Sequence, residues 1–206
     1  MSLVSAVISD IRVELNDSDS TRWTDAAILA VLKQSVRRAN RIAQRNGLAF
    51  ARKSAAVTTT ANQAYSALPD DFDVPLGLYR NDTHTLIAQR REDEWERISS
   101  AGAISNWYLD LVNSRISWNG TPESAIACTL WYYPTVDSST YTTASTMPWG
   151  GRLDDIIARY TATRMQNIDE MNVNTDMALM ADFENQITTA YRPQSPTMIA
   201  SEGWIE

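Results

Sequence analysis

The amino-acid sequence predicts an α+β fold in which helices from both ends of the chain form a four-helix bundle, with an inserted, mainly antiparallel β domain and an extended C-terminal tail. Three observations support this class. Apolar residues recur at helical spacing near both ends, Val-, Thr- and aromatic-rich segments separated by turn residues fill the middle, and two prolines close the last helical pattern. The predicted boundaries are 1–54, 55–147 and 148–192 for the first helical half, the β domain and the second helical half, and 193–206 for the tail.

The N-terminal half contains two helical patterns. Apolar residues from Leu3 to Leu15 form one stripe, and the polar run NDSDST ends it. In the second pattern Thr24 precedes Asp25 in the manner of a helix N-cap, and Asn46-Gly47 marks the end of the helix. We therefore expect two helices joined by a short acidic linker.

The second helix carries positive charge on the side opposite its apolar face. Lys33, Arg37, Arg41 and Arg45 form an arc on a helical wheel, with Arg38 at its edge, and we call these five residues the basic stripe. No Asp or Glu occurs between residues 25 and 70, and residues 1–69 carry a net charge of +4 against −11 for residues 70–206. The stripe has three readings: a solvated helix face, a nucleic-acid contact, or a docking site for an acidic protein surface.

The middle of the chain predicts a β region. The segment YLDLVNSRISW contains two alternating runs on either side of Asn113-Ser114, a pattern typical of a hairpin with a two-residue turn. The segment REDEWERISSAG reads as a single exposed helical piece anchored by Trp95 and Ile98. Tryptophans exceed what one core needs and favour protein interfaces, the candidates being Trp107, Trp118, Trp131, Trp149 and Trp204.

Two further helices are predicted near the C-terminus. The segment MPWGG precedes a third helix, in which Leu153, Ile157, Tyr160 and other apolar residues up to Ile168 share one face. The segment MNVNT breaks this pattern. A fourth helix begins at about Asp176, carries Met177, Met180, Phe183, Ile187 and Tyr191, and ends before Pro193.

The sequence offers little to support catalysis or metal binding. His84, the only histidine, lies on a polar turn, and Cys128 lies in a strand pattern where burial is the default expectation. The acidic clusters lack the spacing of a calcium loop, and no phosphate-binding, zinc-protease or serine-hydrolase motif occurs. We predict no catalytic residue, no metal and no cofactor, and hence no enzyme. The clusters are Asp70-Asp71-Asp73, Glu92-Asp93-Glu94-Glu96 and Asp154-Asp155, the last explained by the dipole of helix three.

The single cysteine excludes an intramolecular disulfide, which suits assembly in a reducing cytoplasm. The N-terminus MSLVSAVISDIRVEL has no basic leader, and no apolar run is long enough to span a bilayer. We therefore expect a soluble chain with no membrane partner.

Four segments together resemble the head-to-tail adaptor, or head completion, proteins of tailed bacteriophages. The opening LVSAVISDIRVELNDSDSTRWTDAAILAVLKQSVRRANRI has a short helix, an acidic linker, a Trp and then a long helix. The resemblance continues in LPDDFDVPLGLYRN, in the hairpin YLDLVNSRISWNGTPESAIACTLWYYP and in MPWGGRLDDIIARYTATRM. It covers most of the chain and depends on the order and spacing of these segments.

The resemblance implies a structural protein of the virion neck that assembles in the host cytoplasm. Such adaptors form a homo-oligomeric ring, usually a dodecamer, beneath the portal protein, and present a platform for tail, nozzle or tail-fibre proteins around the DNA channel. Genomic DNA would pass through without sequence-specific contact. The C-terminal segment of such adaptors commonly reaches along the portal, which here assigns portal docking to Met198, Ile199, Trp204 and Ile205.

A closed ring gives the basic stripe a partner, because one face of each subunit must match a different face of the next. We expect the stripe to meet an acidic helical surface of a neighbour or of the portal. The acidic candidates are Asp154, Asp155, Asp169, Glu170, Asp176, Asp182 and Glu184. Two alternatives are a DNA-binding or packaging accessory protein that uses the stripe on phosphates, and another neck or tail-completion protein.

Overall fold

The computed structural model describes residues 2–90, 104–170 and 173–191. Its contacts divide the chain into two compact units. Residues 1–50 and 137–206 belong to the helical unit, and residues 51–136 form the sheet unit. Within the described part of the chain, no helix combines the length and the apolar character that crossing a membrane requires.

The helical unit contains four helices. The side chain of Thr24 accepts a hydrogen bond from the backbone N–H of Ala27 at 3.2 Å, which confirms the predicted N-cap of the second helix. The second helix also ends at the predicted position. The helices are α1 (Val4–Glu14), α2 (Asp25–Arg45), α3 (Asp154–Glu170) and α4 (Val173–Tyr191), with short 3₁₀ turns at Ala49–Ala51, Ser138–Thr140 and Pro148–Gly151.

The α3 helix is central, since it contacts α1, α2 and α4. The predicted apolar face of this helix is buried at Leu153, Ile157 and Tyr160, but Ala158 and Ala162 on another side are buried too. A helix with one apolar face fits the corner of a four-helix bundle, whereas a helix buried on several sides must lie between its neighbours. The predicted four-helix bundle is therefore wrong.

The strands form one seven-stranded sheet. Its order is β1-β7-β3-β4-β5-β6-β2, and all neighbours are antiparallel except β4 and β5. The two edge strands approach each other, because the Ser66 hydroxyl on β2 donates to the carbonyl of Thr58 on β1 at 3.0 Å. The strands are β1 (Lys53–Thr58), β2 (Tyr65–Ala67), β3 (Phe72–Arg80), β4 (Leu86–Gln89), β5 (Asn106–Asp110), β6 (Arg115–Trp118) and β7 (Ala127–Pro134).

The sheet unit has an apolar core of its own. Trp107 and Trp118 are fully buried, and each indole N–H has a partner, the carbonyl of Ile87 at 3.0 Å and the hydroxyl of Ser66 at 3.2 Å. Cys128 is buried in β7, as predicted. The sheet unit thus has its own hydrophobic core and is not a small insert on a helical bundle. Of the predicted fold class, only the mixed α+β character is confirmed.

Several local predictions need correction. The β5–β6 turn contains four residues, 111–114, instead of two, and Ser114 has a φ of +50°. The α4 helix begins at Val173, so residues 173–175 of the expected long break after α3 are helical. Ile168 and Met177 are 48% and 67% exposed instead of buried. The predicted helical piece around Trp95 and Ile98 lies outside the described residues, as does the docking segment with Met198, Ile199, Trp204 and Ile205.

Candidate functional site: an arginine-lined cavity

A cavity of about 420 Å³ opens between α2, α3 and α4 of the helical unit. Its lining carries five positive charges and one negative charge. We call it the arginine cavity, and its charged residues are Arg37, Arg38, Arg41 and Arg45 from α2, Arg164 from α3 and Glu184 from α4.

The α2 helix presents its arginines because its opposite face is held in the core. Leu32, Val36 and Ala39 are fully buried, and residues four apart on a helix share a face, so Arg37 and Arg41 are exposed together. Like charges at this spacing destabilise a helix by about 0.2–0.5 kcal/mol per pair. Placing the arginines on one face of α2 therefore costs this helix some stability.

Two of the cavity arginines have buried donors without a partner. The Nε atoms of Arg38 and Arg164 are shielded from solvent, and neither has a hydrogen-bond acceptor among the described residues. A buried donor left unsatisfied costs about 1–3 kcal/mol, and more when the group is charged. The cavity therefore suits an oxygen-rich, negatively charged group that brings acceptors with it.

Lys33 does not line the cavity, although it belongs to the basic stripe. Its Nζ donates to the carbonyl of Ser139 at 2.8 Å, and the hydroxyl of Ser138 donates to the Lys33 carbonyl at 2.8 Å. Lys33 thus holds the 3₁₀ turn after residue 137 against α2. The pKa of Asp137 is lowered, mainly by hydrogen bonds from Ser139 and to a smaller extent by the charges of Arg37 and Lys33.

Glu184 lies on the cavity wall and forms an ion pair with Arg45 of the same chain. The sequence interpretation placed these two residues on opposite sides of a contact between subunits. In the structure one chain supplies both partners of this pair. The other four cavity arginines have no carboxylate partner in the described part of their own subunit.

The remaining acidic candidates lie in different places. Asp154 and Asp155 occupy the first turn of α3, where only Asp155 is exposed. Asp154 accepts a hydrogen bond from the Ser2 hydroxyl, and burial raises its pKa, with the nearby negative charges of Asp155 and Asp10 acting in the same direction. Asp182 is exposed in the middle of α4, where Gln186 Nε2 donates to it at 2.6 Å.

Sequence reasoning missed Arg164. The signal was present, because Arg164 lies four residues after Tyr160 and four before Ile168, on the face that the apolar pattern assigned to the core. A single arginine on an apolar helix face indicates either a buried charge partner or a polar cavity. The structure shows the cavity.

The chemistry of the other candidate residues is limited. Across the described ranges, no group of three or more His, Cys, Asp or Glu side chains is arranged to hold a metal ion. His84 has a φ of +53° and is exposed between β3 and β4, as its predicted turn position requires. Burial raises the pKa of the Cys128 thiol, which disfavours the reactive thiolate.

A family model described as SU10 adaptor protein matches residues 2–200. The chain belongs to the SU10 adaptor protein family. This match confirms the resemblance drawn from the sequence, and identifies the chain as a phage adaptor protein and a component of the virion. Membership in a structural family favours a non-enzymatic role for the adaptor. No curated protein matches the chain significantly.

Proposed function

We propose that the adaptor forms a homo-oligomeric ring, dodecameric in the assembled neck, between the portal protein and the tail components, with genomic DNA passing through its channel. Membership in the phage adaptor family supports this role. The proposed portal-docking arm comprises Met198, Ile199, Trp204 and Ile205.

The observation that carries the assembly part of the proposal is the arginine cavity. The buried Nε donors of Arg38 and Arg164 have no acceptor among the described residues, and a carboxylate from outside the chain would supply one. A heterologous ring contact brings a different surface of the next copy to each cavity. Among the described side chains, Asp155 and Asp182 are the exposed acidic groups on α3 and α4, and we propose them for this contact, with an acidic portal surface as the second possible donor.

The native mass of the purified adaptor, alone and with its cognate portal, tests the ring directly. We expect a species about twelve times the 23.1 kDa chain, either free or on the portal. A chain that stays monomeric at every concentration and also fails to bind the portal would contradict the proposal.

The charge-reversal variant Arg37→Glu/Arg41→Glu tests the role of the cavity. Both side chains are exposed, so the variant should keep the circular dichroism of the monomer, while like-charge repulsion against the acidic partner should abolish ring assembly. A matched pair of single changes is Arg41→Glu in the cavity and Arg22→Glu, which makes the same charge change at an exposed position of the same unit outside the cavity. Equal assembly of both variants would show that the cavity takes no part.

A further inference from the structure

The arginines of the arginine cavity differ in their exposure. Arg37, Arg41 and Arg45 are exposed, whereas Arg38 and Arg164 are partly buried and carry the shielded Nε donors. We call Arg38 and Arg164 the inner pair. One member comes from α2 and the other from α3, so a ligand that binds both also bridges the two helices.

The contact between α2 and α3 positions the inner pair. The hydroxyl of Thr161 donates to the hydroxyl of Ser35 at 2.9 Å, and both side chains are fully buried. Arg38 follows Ser35 by three positions, and Arg164 follows Thr161 by three. Because residues three apart are neighbours on a helix surface, each arginine is held beside this buried contact.

The charge of the cavity favours an anion with more than one negative charge. Glu184 pairs with Arg45, and the other four arginines have no carboxylate partner in the described part of the chain. Like charges around one cavity repel each other, and arginines cannot relieve the repulsion by losing a proton. A multiply charged anion relieves it most.

The geometry favours a phosphate over a small carboxylate. The oxygens of a carboxylate lie in one plane, whereas those of a phosphate point in several directions and can accept from guanidinium groups on two helices. Arginine also matches phosphate with two parallel hydrogen bonds. The cavity volume of about 420 Å³ lies in the range of roughly 300–1,000 Å³ that is usual for small-ligand sites.

A free phosphate fits the inner pair better than the phosphates of DNA do. A DNA duplex carries its phosphates on a broad surface, each with one negative charge. Such a surface reaches exposed arginines but not the shielded Nε atoms of the inner pair. The net charge of −7 on the chain also opposes the long-range attraction of DNA.

We propose that the arginine cavity of the free subunit binds a small phosphate-type anion, orthophosphate or pyrophosphate, whose oxygens bridge Arg38 and Arg164. The anion supplies the acceptors that the inner pair lacks among the described residues. In one respect the inference rests on the proposed function, because a neighbour's carboxylate that enters the same cavity must displace the anion. Phosphate-type anions should therefore oppose ring assembly.

Calorimetric titration of the full chain with pyrophosphate tests the binding, at constant ionic strength and at a protein concentration below assembly. We expect one pyrophosphate per chain. Arg38→Gln and Arg164→Gln should each weaken the affinity about tenfold or more, because each removes a charge-assisted hydrogen bond. Arg41→Gln, at an exposed position of the cavity, should also weaken binding without disturbing the core.

The matched control for these variants is Arg22→Gln, at an exposed position outside the cavity, which should bind pyrophosphate as the wild type does. Absence of binding to the wild type would overturn the inference. Equal affinities of Arg38→Gln, Arg164→Gln and Arg22→Gln would also overturn it, since the anion would then bind elsewhere.

Competing ligands test the chemical class of the anion. Succinate, a dianion, should bind at least tenfold more weakly than orthophosphate, and a short DNA duplex should not displace pyrophosphate. Equal binding of succinate would overturn the inference in favour of a carboxylate site, and displacement by the duplex would overturn it in favour of nucleic acid. Pyrophosphate binding that appears only in Glu202→Gln/Glu206→Gln would show that the chain's own tail fills the cavity, which likewise overturns the inference.

Assembly separates the failure of this inference from the failure of the proposed function. At constant ionic strength, pyrophosphate at about ten times its Kd should raise the wild-type protein concentration at half-assembly about tenfold, and should affect Arg164→Gln less. An unchanged concentration would overturn the competition and leave the ring standing. A chain that binds pyrophosphate in the cavity but forms no ring, alone or on the portal, would overturn the proposed function and leave the anion site standing.

Discussion

Asp17 organises the segment between α1 and α2. Its carboxylate accepts hydrogen bonds from the backbone N–H groups of Thr21, Arg22 and Trp23, each at 3.0 Å, and from Arg12 Nη1, also at 3.0 Å. Arg12 and Asp17 are both buried. The sequence predicted an acidic linker here but could not distinguish Asp17 from Asp19, because only the path of the folded backbone brings three N–H groups to one of them.

The acid stability of the helical unit should depend on Asp17. Its pKa is lowered, chiefly by the hydrogen bond from the Arg22 N–H, so the folded state favours the charged form. The resulting stabilisation is present above the ordinary Asp pKa of about 3.9 and is lost as pH falls through the lower folded-state pKa. In thermal melts followed by circular dichroism, Asp17→Asn should lower the Tm at pH 7 and lose less further stability below about pH 4 than the wild type. Asp19→Asn, which is exposed, should follow the wild-type curve.

Asp154 should show the opposite pH dependence. Its raised pKa means that the folded state disfavours the charged form, so stability falls as pH rises from the ordinary Asp pKa through the raised value. The difference in the free energy of unfolding between Asp154→Asn and the wild type should therefore favour the variant more at pH 7 than at pH 3. Asp155→Asn loses a dipole interaction at an exposed helix start, about 0.3–1 kcal/mol, and also removes part of the repulsion on Asp154. Equal relative stability of Asp154→Asn at both pH values would contradict the assignment.

At the level of elements, the contact between α2 and α3 contains a polar pair inside an apolar interface. The hydroxyl of Thr161 donates to the hydroxyl of Ser35 at 2.9 Å, and the Ser35 hydroxyl donates to the carbonyl of Val31 at 3.0 Å. Both side chains are fully buried. The apolar face of α2 was predictable from its period, but a serine inside that face gave no sign of its partner on a helix more than 100 residues away.

The Ser35–Thr161 pair predicts an asymmetry between two substitutions. Ser35→Ala leaves the buried Thr161 donor without its acceptor and should cost about 1–3 kcal/mol in urea unfolding. Thr161→Val removes the donor, while Ser35 keeps its bond to Val31, so it should cost less. If Thr161→Val proved the more damaging change, the direction of the hydrogen bond would be wrong.

The start of α4 shows why element boundaries were predicted less well than elements. The MNVNT segment suggested a break because Asn and Thr are poor helix formers. Asn174 and Thr175 nevertheless lie on the exposed side of α4, within the helix. Their unfavourable propensity is at most about 0.7 kcal/mol each, which packing of Phe183 and Ile187 against the core easily exceeds.

At the level of the whole molecule, the order of helices and strands was predictable and their arrangement was not. Local periodicity reveals that a helix has an apolar face, but α3 is buried on additional sides through small residues, Ala158 and Ala162, which give a weak signal. The seven-stranded sheet depends on pairings between distant segments, such as β1 with β7. The basic stripe was visible in the sequence, whereas the contribution of Arg164 required the fold.

Assembly of the whole molecule should be salt-dependent if the arginine cavity receives carboxylates. Raising the salt from about 0.1 M to about 1 M shortens the screening length from about 10 Å to about 3 Å. Wild-type ring formation, followed by native mass, should weaken over this range. The variant Arg37→Ala/Arg41→Ala, which removes two of the cavity's positive charges, should assemble more weakly at low salt and respond less to added salt. Identical salt responses would point to a contact that the arginines do not control.

The edge strands β1 and β2 meet through the hydrogen bond from Ser66 to Thr58, and this contact matters when many copies of the sheet lie close together. Unpaired strand edges act as templates on which other chains add strands, and the risk grows with local concentration. An adaptor ring would gather many copies of this sheet in a small volume. Because the two edge strands face each other at Ser66 and Thr58, the sheet edge is shielded there from the addition of a neighbour's strand.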